Sequence, residues 1–438
     1  MEFDYKNILI MGYGESGQAV EVILKKLHNV SYKIYDKNKR VTGGNYFAKL
    51  SKKLIRQFDL IIVSPGISAF NKYIVYAEKI GIKVIGELEF GYWFTDSPVI
   101  AITGTNGKTT TTKLTEQILS SKFSTGAYGN IGTPLSRAFD IEHDYLVCEV
   151  SSFQLETTYM FKPYISVLLN IAEDHLDRHK NFENYIKCKL GLLKNCTEKS
   201  IVILNADDGI IMDRTKDIRA KKYYISLFNK VKGVYINDGK IYSNLKSVDM
   251  IVDLDEIEHL YGVIQDVLAS ILIGLLMKVE KEKILDSIKN FQVAPHRLEL
   301  VAHKDNIKYI DDSKSTNVHS SMNALQCIKD KVILLLGGED KDLNFAPIFE
   351  NYSGSIDTVV AFGNARKKIF KTAVKLGVKN IKSCKTFNEA VRQACDIAKE
   401  NNVVLLSPAC SSFDEFSGYA ERGDAFAKIV KGYINAKN

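Results

Sequence analysis

The segment Thr103–Thr110, Thr-Gly-Thr-Asn-Gly-Lys-Thr-Thr, has the residue types and spacing of a phosphate-binding loop. Backbone N–H groups of such a loop can surround phosphate oxygens, Lys108 can reach the β- and γ-phosphates, and the Thr109 hydroxyl suits Mg²⁺. The spacing, Gly-x-x-Gly-Lys-Thr, is a shortened variant of the common motif. A strand predicted at Val99–Ile102 precedes the loop and a helix predicted at Thr110–Leu119 follows it, which is the context that the motif requires.

A second glycine-rich segment, Gly12-Tyr-Gly-Glu-Ser-Gly17, lies between a predicted strand at Ile8–Met11 and a predicted helix at Gln18–Leu27. Asp36 ends the next predicted strand, 19 residues beyond Gly17. This pattern is typical of a pyrophosphate bound at a helix N-terminus with a carboxylate near a ribose. Only 86 residues separate Gly17 from the second loop, which leaves room for a mononucleotide-sized unit and disfavours an NAD enzyme. A tight turn without a ligand is the alternative.

These loops must be positioned by strands, and strand-like and helix-like runs alternate throughout the chain, which predicts the α/β class with parallel sheets. The runs form three blocks, residues 1–93, 94–294 and 295–438. We predict a Rossmann-like N-terminal domain, a P-loop ATPase central domain and a Rossmann-like C-terminal domain. The other predicted strands are Tyr32–Tyr35, Leu60–Val63, Lys83–Ile85, Tyr145–Val150, Ile165–Leu169, Ile201–Leu204, Lys308–Ile310, Val332–Leu336, Thr358–Phe362 and Val403–Leu406. The other predicted helices are Tyr185–Leu193, Gly262–Val279, Ser320–Ile328, Ala365–Leu376, Phe387–Glu400 and Gly423–Asn435.

Length and composition agree with this plan. At about 150 residues per domain, 438 residues predict about three domains. The net charge of +7 suits anionic small molecules, and we see no basic stripe with interleaved aromatic residues, so we expect no nucleic-acid partner. The apolar runs are too short to predict a membrane-spanning helix. Seven cysteines without a Cys-x-x-Cys pair predict neither a disulfide framework nor a zinc site, and with no signal-peptide pattern we expect a cytoplasmic protein.

From Gly104–Thr110 onward the chain resembles the Mur ligase family, the ATP-dependent amide ligases of peptidoglycan precursor synthesis, and the resemblance covers nearly the whole chain. The other matching stretches are Gly129–Gly132, Glu149–Glu156, Leu169–Asp177, Cys188–Leu190 and His296–Glu299. Within the family, three stretches look like those of the member that adds D-glutamate: Asp311–Asn317, Gly337–Lys341 and Ser407–Phe413. The resemblance implies an enzyme that uses ATP to join D-glutamate to UDP-N-acetylmuramoyl-L-alanine through an acyl phosphate.

The resemblance also implies a set of catalytic and metal-binding residues. Lys108, His175 and Lys189 would be catalytic, and two Mg²⁺ ions would be held by Thr109, Glu149, His175 and Lys189, the lysine being carbamylated by CO₂. Phosphoryl transfer between two anions needs such cations. Taken alone, Glu149 is typical of a capping or salt-bridging carboxylate, His175 of a loop histidine and Lys189 of a solvated lysine.

Further binding residues are implied for each substrate. For ATP they are Gly104, Thr105, Asn106, Gly107, Lys108, Thr109, Thr110, Asp266, Arg297 and Asp312. For the UDP-substrate they are Gly14, Glu15, Ser16, Gly17, Asp36, Lys37, Gly66, Asn130, Ser151 and Gln154. For D-glutamate they are Lys314, Thr316, Lys341, Ser412, Phe413 and Tyr419. The chain departs from the family at Gly262–Asp266, where a His-Asn pair is missing and Asp266 takes the place of an adenine-contacting Asn.

Three other functions remain as alternatives. A folylpolyglutamate synthase shares the ATP loop and the acyl-phosphate chemistry, but we would not expect it to carry Gly12–Gly17 before that loop. A non-catalytic nucleotide sensor would be favoured by loss of Lys108, Glu149 or His175, and all three are present. An NAD oxidoreductase is disfavoured by the short spacing between the two loops. We expect a monomer whose partners are its small-molecule substrates, with no membrane-inserted segment.

Overall fold

The computed structural model describes residues 3–37, 45–47, 49–340 and 342–436, and three β-sheets organise this part of the chain. The predicted α/β class with three domains is confirmed by these sheets and the helices that connect their strands. The chain divides into two compact units. One runs through Glu258 and resumes over Val263–Phe291, and the other holds His259–Gly262 and the chain from Gln292 onward.

The first sheet has five parallel strands in the order β3-β2-β1-β4-β5. Its elements are β1 (Asn7–Met11), α1 (Glu15–Lys26), β2 (Ser31–Tyr35), β3 (Tyr46–Phe47), α2 (Lys52–Ile55), β4 (Leu60–Val63), α3 (Lys72–Lys79), β5 (Lys83–Gly86) and α4 (Glu87–Trp93). The central strands β1 and β4 are apolar and buried, because helices cover both faces of the sheet. The strand order reverses between β1 and β4, and the loop that follows β1 therefore lies where parallel sheets form ligand crevices.

The second sheet has nine strands in the order β14-β13-β12-β11-β10-β9-β6-β8-β7. Its strands are β6 (Val99–Thr103), β7 (Thr125–Gly129), β8 (Tyr145–Glu149), β9 (Ile165–Leu168), β10 (Ile201–Asn205), β11 (Lys221–Ser226), β12 (Gly233–Asn237), β13 (Lys240–Asn244) and β14 (Val248–Asp253). Its helices are α5 (Lys108–Ser120), α6 (Ser152–Leu155), α7 (Leu176–His179), α8 (Phe182–Leu190), α9 (Gly209–Arg214), α10 (Ile264–Leu276) and α11 (Lys281–Lys289), with 3₁₀ turns at Leu135–Ala138 and Gly191–Leu193. Strand β6 is fully buried between β9 and β8, and the predicted phosphate-binding loop follows it directly.

The third sheet has six strands in the order β15-β16-β20-β17-β18-β19. Its strands are β15 (Glu299–Lys304), β16 (Ile307–Asp311), β17 (Lys331–Gly337), β18 (Ile356–Phe362), β19 (Ile381–Ser383) and β20 (Asn402–Ala409). Its helices are α12 (Val318–Gln326), α13 (Ala346–Tyr352), α14 (Arg366–Lys375), α15 (Phe387–Ile397) and α16 (Tyr419–Ala436). Alternate residues of β17 and β20 enter separate apolar clusters on the two faces, as expected of a sheet covered on both sides.

Three antiparallel pairings, β12 with β13, β13 with β14, and β15 with β16, depart from the predicted parallel pattern. Strands β12 and β13 are joined by Asp238 and Gly239, whose φ angles are 47° and 72°. Strands β15 and β16 are joined by Asp305 and Asn306, with φ angles of 52° and 57°. Two consecutive positive φ angles are the geometry of a two-residue hairpin turn, and Asp, Asn and Gly are the residues that adopt it most readily.

The helix predicted at Gly262–Val279 is shorter in the structure. A 3₁₀ segment at Leu254–Val263, kinked at Ile257, precedes α10. Among the described residues, one helical stretch, Leu254–Leu276, is long enough and apolar enough to cross a bilayer. However, 61% of its most apolar window is buried inside the protein. A buried core helix meets the same length and composition criteria, so the expectation of no membrane-inserted segment stays a prediction.

A buried carboxylate fixes the junction between α4 and the central sheet. Glu89 is fully buried and accepts hydrogen bonds from the backbone N–H groups of Tyr159, Met160 and Phe161, at 2.7 to 3.0 Å. Its Oε1 also accepts a hydrogen bond from Trp93 Nε1 at 2.9 Å. A buried charge needs such partners, and here they attach α4 to the loop that precedes β9.

Candidate active site

The conformation of the loop after β6 is fixed by its glycines and by hydrogen bonds to the segment that follows β9. Gly107 has a φ of 86°, and a Cβ there would lie 2.1 Å from Asp266 Oδ1, so this position requires glycine. Asp266 is therefore packed against the loop. The backbone N–H of Asn106 donates to Asn170 Oδ1 at 2.8 Å, and the Thr105 hydroxyl accepts from the N–H of Ala172 at 2.9 Å. The loop opens α5, whose N-terminal N–H groups can bind an anion.

Two lysines converge on one carbonyl of this loop. Lys108 Nζ donates to Gly104 O at 3.0 Å and to Thr105 O at 2.9 Å. Lys189 Nζ, from α8, donates to the same Gly104 O at 2.7 Å. The Lys189 side chain is only 1% exposed, so it is not a solvated lysine. Burial, and then the positive charge of Lys108, hold the pKa of Lys189 well below its usual range, which favours a neutral amine.

A buried carboxylate lies beside the first turn of α5. Glu149 ends β8, is 2% exposed and accepts a hydrogen bond from the Thr109 hydroxyl on Oε2 at 2.7 Å. Its Oε1 accepts from Asn130 Nδ2 at 2.8 Å. Thr109 and Glu149 come together because β6, which precedes the Thr109 loop, and β8 are neighbours, with Ile102 opposite Glu149. A hydroxyl and a carboxylate at this distance are the oxygen donors that Mg²⁺ binds, so these residues fit the predicted ion.

His175 lies in the loop after β9, at the residue before α7. Its φ of 53° is unusual for a histidine, and left-handed residues of this kind concentrate at functional sites. Its ring packs against Phe153 at 4.8 Å between centroids, and its Nε2 lies 3.7 Å from a carboxylate oxygen of Asp174. The side chain is 49% exposed and thus accessible to a ligand. Its role as a metal ligand stays a prediction.

The N-terminal glycine loop is supported by different groups. The backbone N–H of Tyr13 donates to Asp36 Oδ2 at 2.6 Å, and the Ser64 hydroxyl donates to Gly12 O at 3.1 Å. A Cβ at Gly17 would lie 2.1 Å from Gly12 O, which explains the glycine there. At Gly14 a Cβ would meet no atom of the described residues within 4 Å, so the space that these residues leave in front of Gly14 is open to a ligand.

The other residues predicted for the UDP-substrate lie around these elements. Glu15, Ser16 and Gly17 form the first turn of α1, Lys37 is exposed after β2, and Gly66 belongs to the loop after β4 that faces Gly12. Ser151 and Gln154 form a reciprocal cap at the start of α6: the Gln154 N–H donates to Ser151 Oγ at 3.3 Å, and the Ser151 N–H donates to Gln154 Oε1 at 2.9 Å. These contacts place the residues and leave their ligand roles as predictions.

Arg178, which the sequence analysis missed, connects the α7 segment to the loop that follows β4. Its guanidinium donates to both Glu156 carboxylate oxygens, at 2.7 and 3.2 Å, and packs on the Phe153 ring at 3.9 Å. It also donates to Pro65 O at 2.6 Å and to Ile67 O at 3.2 Å. One side chain thus joins the α7 segment, which follows His175, to the loop facing the N-terminal glycines. Its carbonyl partners are far away in sequence and have no residue-type signature, so no sequence signal would have identified this role.

In the second compact unit, a buried carboxylate lies beside Arg297. Asp312 is fully buried, with Oδ2 accepting from the Ser407 hydroxyl at 2.8 Å and Oδ1 lying 3.8 Å from Arg297 Nη1. Burial raises the pKa of Asp312 to about 6 although the Arg297 charge opposes this shift. The residues flanking Arg297, His296 and Leu298, both have positive φ angles, of 64° and 45°. This unusual backbone is a feature of functional sites.

Among the described residues predicted for D-glutamate, Lys314 and Tyr419 lie close together. Lys314 Nζ lies 5.7 Å from the centre of the Tyr419 ring, and Tyr419 O accepts from the Ser313 hydroxyl at 2.8 Å. Thr316 is half-buried, Ser412 is 2% exposed, and Phe413 is 63% exposed in the same loop. Lys341 lies outside the described residues.

Arg422 is a second residue that the sequence analysis missed. It is fully buried and donates to the hydroxyl and carbonyl oxygens of Ser313 and to Cys410 O, at 2.9 to 3.0 Å. It joins the end of β20 to the turn after β16, between the predicted D-glutamate residues. Burial lowers its pKa to about 10, and its Nη1 is buried with no hydrogen-bond partner among the residues that the structure describes.

Three family models match the chain. Residues 6–86 match the Mur ligase MurD-like N-terminal domain, residues 102–264 the Mur ligase middle domain, and residues 296–410 the Mur ligase glutamate ligase domain. Two curated relatives share the name UDP-N-acetylmuramoylalanine–D-glutamate ligase. The one from Thermoanaerobacter sp. (strain X514) is 36% identical and the one from Clostridioides difficile (strain 630) is 33% identical, and each alignment covers 98% of this chain and 99% of the relative.

Solved structures share the fold. A pseudomurein peptide ligase type C from Methanothermus fervidus superposes with a TM-score of 0.61 at 19% identity, over 97% of this chain and 100% of that one. The MurF ligase from Thermotoga maritima, solved with ADP, gives a TM-score of 0.60 at 16% identity, over 99% and 96%. At these identities the likeness shows a common three-domain fold.

Proposed function

The chain belongs to the Mur ligase family, and we propose that it is the ATP-dependent ligase that joins D-glutamate to UDP-N-acetylmuramoyl-L-alanine in peptidoglycan precursor synthesis, releasing ADP and phosphate. Relatives that carry this activity in their names are 33–36% identical over nearly the full length of both chains. The alternatives of a nucleotide sensor and an NAD oxidoreductase have no such support.

The convergence of Lys108 and Lys189 on Gly104 O is the structural observation that best supports this reaction. The substrate carboxylate takes the γ-phosphoryl group of ATP to give an acyl phosphate, and the amine of D-glutamate then attacks the acyl carbon and displaces phosphate. Two anions must meet in the first step. Lys108, fixed by two loop carbonyls, supplies positive charge without having to reorganise during the reaction.

We assign two Mg²⁺ ions to Thr109, Glu149, His175 and Lys189; when bound, they would offset the charge of the phosphate oxygens. The hydroxyl and carboxylate oxygens of Thr109 and Glu149 support this assignment. A neutral Lys189 amine can add to the carbon of CO₂ and lose a proton, which gives a carbamate whose oxygens suit a cation. The lowered pKa of Lys189 supplies that neutral amine.

The remaining assignments are part of the same proposal. Residues 1–93 bind the UDP-substrate through the Gly14–Gly17 loop and Asp36, and residues 94–294 bind ATP. Residues 295–438 bind the amino acid through Lys314, Thr316, Lys341, Ser412, Phe413 and Tyr419, and contribute Arg297 and Asp312 to the nucleotide. The protein acts as a cytoplasmic monomer on small-molecule substrates, with no membrane-inserted segment.

Phosphate release measured with UDP-N-acetylmuramoyl-L-alanine, ATP and one amino acid at a time tests the function. We expect release with D-glutamate and not with L-glutamate or L-alanine. The enantiomer would keep its carboxylates bound while its amine is misplaced, and positioning alone is worth about several kcal/mol. Equal rates with the two glutamate enantiomers would refute the assigned D-glutamate pocket.

A further inference from the structure

The outer face of α14 carries lysines and apolar side chains in adjacent rows. Five exposed residues share this face: Lys367, Phe370, Lys371, Val374 and Lys375. Their spacing of three and four residues puts them on one side of the helix. Ile369 and Ala373 occupy the opposite side and are buried in the apolar core beneath.

The segment around this helix concentrates the positive charge of the protein. Residues 358–388 contain eight Lys and Arg residues and no Asp or Glu. Because the net charge of the whole chain is +7, all the remaining residues together carry −1. Three of the eight, Lys379, Lys382 and Lys385, are exposed around β19, the edge strand that contacts α14. The sequence analysis found no basic stripe, since these positions come together only when the helix forms.

Six of the eight cations are available to an outside partner. Arg366 donates to Gly363 O, and Lys368 pairs with Asp340 and Asp342. Within the described parts of the chain, none of the other six lysines forms an ion pair. Asp357 and Glu389 are the first acidic residues in sequence on either side of the segment. The segment therefore carries a net positive charge, and the one carboxylate bonded to its six available lysines in the described part of the chain is that of Glu389, which accepts from the backbone N–H of Lys385 at 2.9 Å.

We propose that this α14 face docks on the surface of an anionic lipid bilayer. Lysine side chains near such a surface are attracted by its negative potential, and their long stems let the ammonium groups stay among the headgroups. Phe370 and Val374 are 38% and 53% exposed and would enter the boundary of the acyl chains. A nucleic-acid surface would instead favour arginine forks and polar side chains, whereas here lysines alternate with apolar residues. None of these residues belongs to the proposed ligase site, so the two proposals are independent.

Sedimentation of the full chain with vesicles tests this docking. We expect binding to phosphatidylcholine vesicles that contain about 30% phosphatidylglycerol, no binding to pure phosphatidylcholine, and release as NaCl rises from about 0.1 to about 0.5 M. The variant K367Q/K371Q/K375Q should lower the partition coefficient by about 10²-fold, since each lysine near the surface contributes about fivefold. The matched control K399Q/K428Q/K431Q removes the same charge from exposed positions elsewhere in this unit and should change binding at most a few-fold.

A second variant separates the apolar part of the face. Phe370→Ser combined with Val374→Ser keeps every charge and should weaken partitioning by about tenfold. All three variants should keep wild-type phosphate release in vesicle-free solution, and the two lysine variants should also keep the wild-type melting temperature, because their substituted side chains are exposed. Equal loss of binding in the two triple variants would overturn the proposal. So would equal binding to neutral and anionic vesicles, or tight binding to a short RNA without vesicle sedimentation.

Discussion

The two glycine loops of the first compact unit use the same backbone device in different electrostatic surroundings. Both follow a buried strand and open a helix, and both contain a glycine with a φ near 90°. Asp36 and Ser64 support the N-terminal loop, whereas two lysines, a threonine and a buried carboxylate gather at the central one. We therefore predict that the N-terminal loop holds an anion whose charge stays constant, and that the central loop holds an anion whose charge changes during the reaction.

Lys108→Ala should lower the rate of phosphate release more than any other substitution considered, because it removes the charge that distinguishes the central loop from the N-terminal one. We expect phosphate release to fall by about 10²–10³-fold, the usual cost of losing one preorganised electrostatic contact. Lys113→Ala, an exposed lysine on the same helix, is the matched control and should be near normal. Near-normal turnover of the Lys108 variant would remove the central loop from the chemistry.

Lys189→Ala should cost about 10²-fold, as expected when a group that supports a metal site is lost. Short carboxylic acids added to the assay should restore part of the rate, because they would fill the position of the carbamate. Lys187→Ala, on the exposed side of the same helix, provides the control. Rescue by small amines in place of acids, or full activity of the variant, would contradict a carbamylated Lys189.

Arg178→Lys should affect binding more than chemistry, because Arg178 joins the loop facing the N-terminal glycines to the α7 segment. A lysine keeps the charge, but the three donors on its single nitrogen cannot reproduce the four hydrogen bonds that the Arg178 guanidinium makes to Glu156 and to two carbonyls. We expect KM for the UDP-substrate to rise about tenfold, the effect of losing roughly one charge-assisted hydrogen bond, with KM for ATP nearly unchanged. A parallel rise in both KM values, with a lower melting temperature, would indicate a purely structural role.

Gly14→Ala should change KM for the UDP-substrate the least, but it tests directly whether the substrate lies against the N-terminal loop. Within the described part of the chain, a methyl group there meets no atom within 4 Å, so the melting temperature should hold. A rise of about threefold to tenfold in KM for the UDP-substrate would then come from a clash with the ligand, the purpose that glycine serves in such loops. Gly209→Ala, equally open in α9, is the control. An unchanged KM would mean that the substrate does not approach this loop closely.

The sequence predicted those parts of the site that depend on local pattern, and missed those that depend on distant contacts. Both loops, their strands and their helices follow from glycine spacing and apolar runs. The hairpin at Asp238-Gly239 was also predictable, since Asp-Gly between strands is a strong turn signal. Burial of Lys189 was not, because its helix also carries the exposed Lys187. The contacts of Arg178 join residues about 110 positions apart through backbone carbonyls, which every residue possesses.

The Glu89 junction gives the protein an intrinsic optical reporter. Trp93 is the only tryptophan in the chain, and its indole N–H is bonded to the carboxylate that also holds the N–H groups of Tyr159, Met160 and Phe161. Fluorescence excited in the indole band therefore comes from one position, where α4 meets the loop before β9. Any change that separates α4 from the loop before β9 would break the indole hydrogen bond and shift the fluorescence emission of Trp93. The unlabelled protein would therefore report that change in real time.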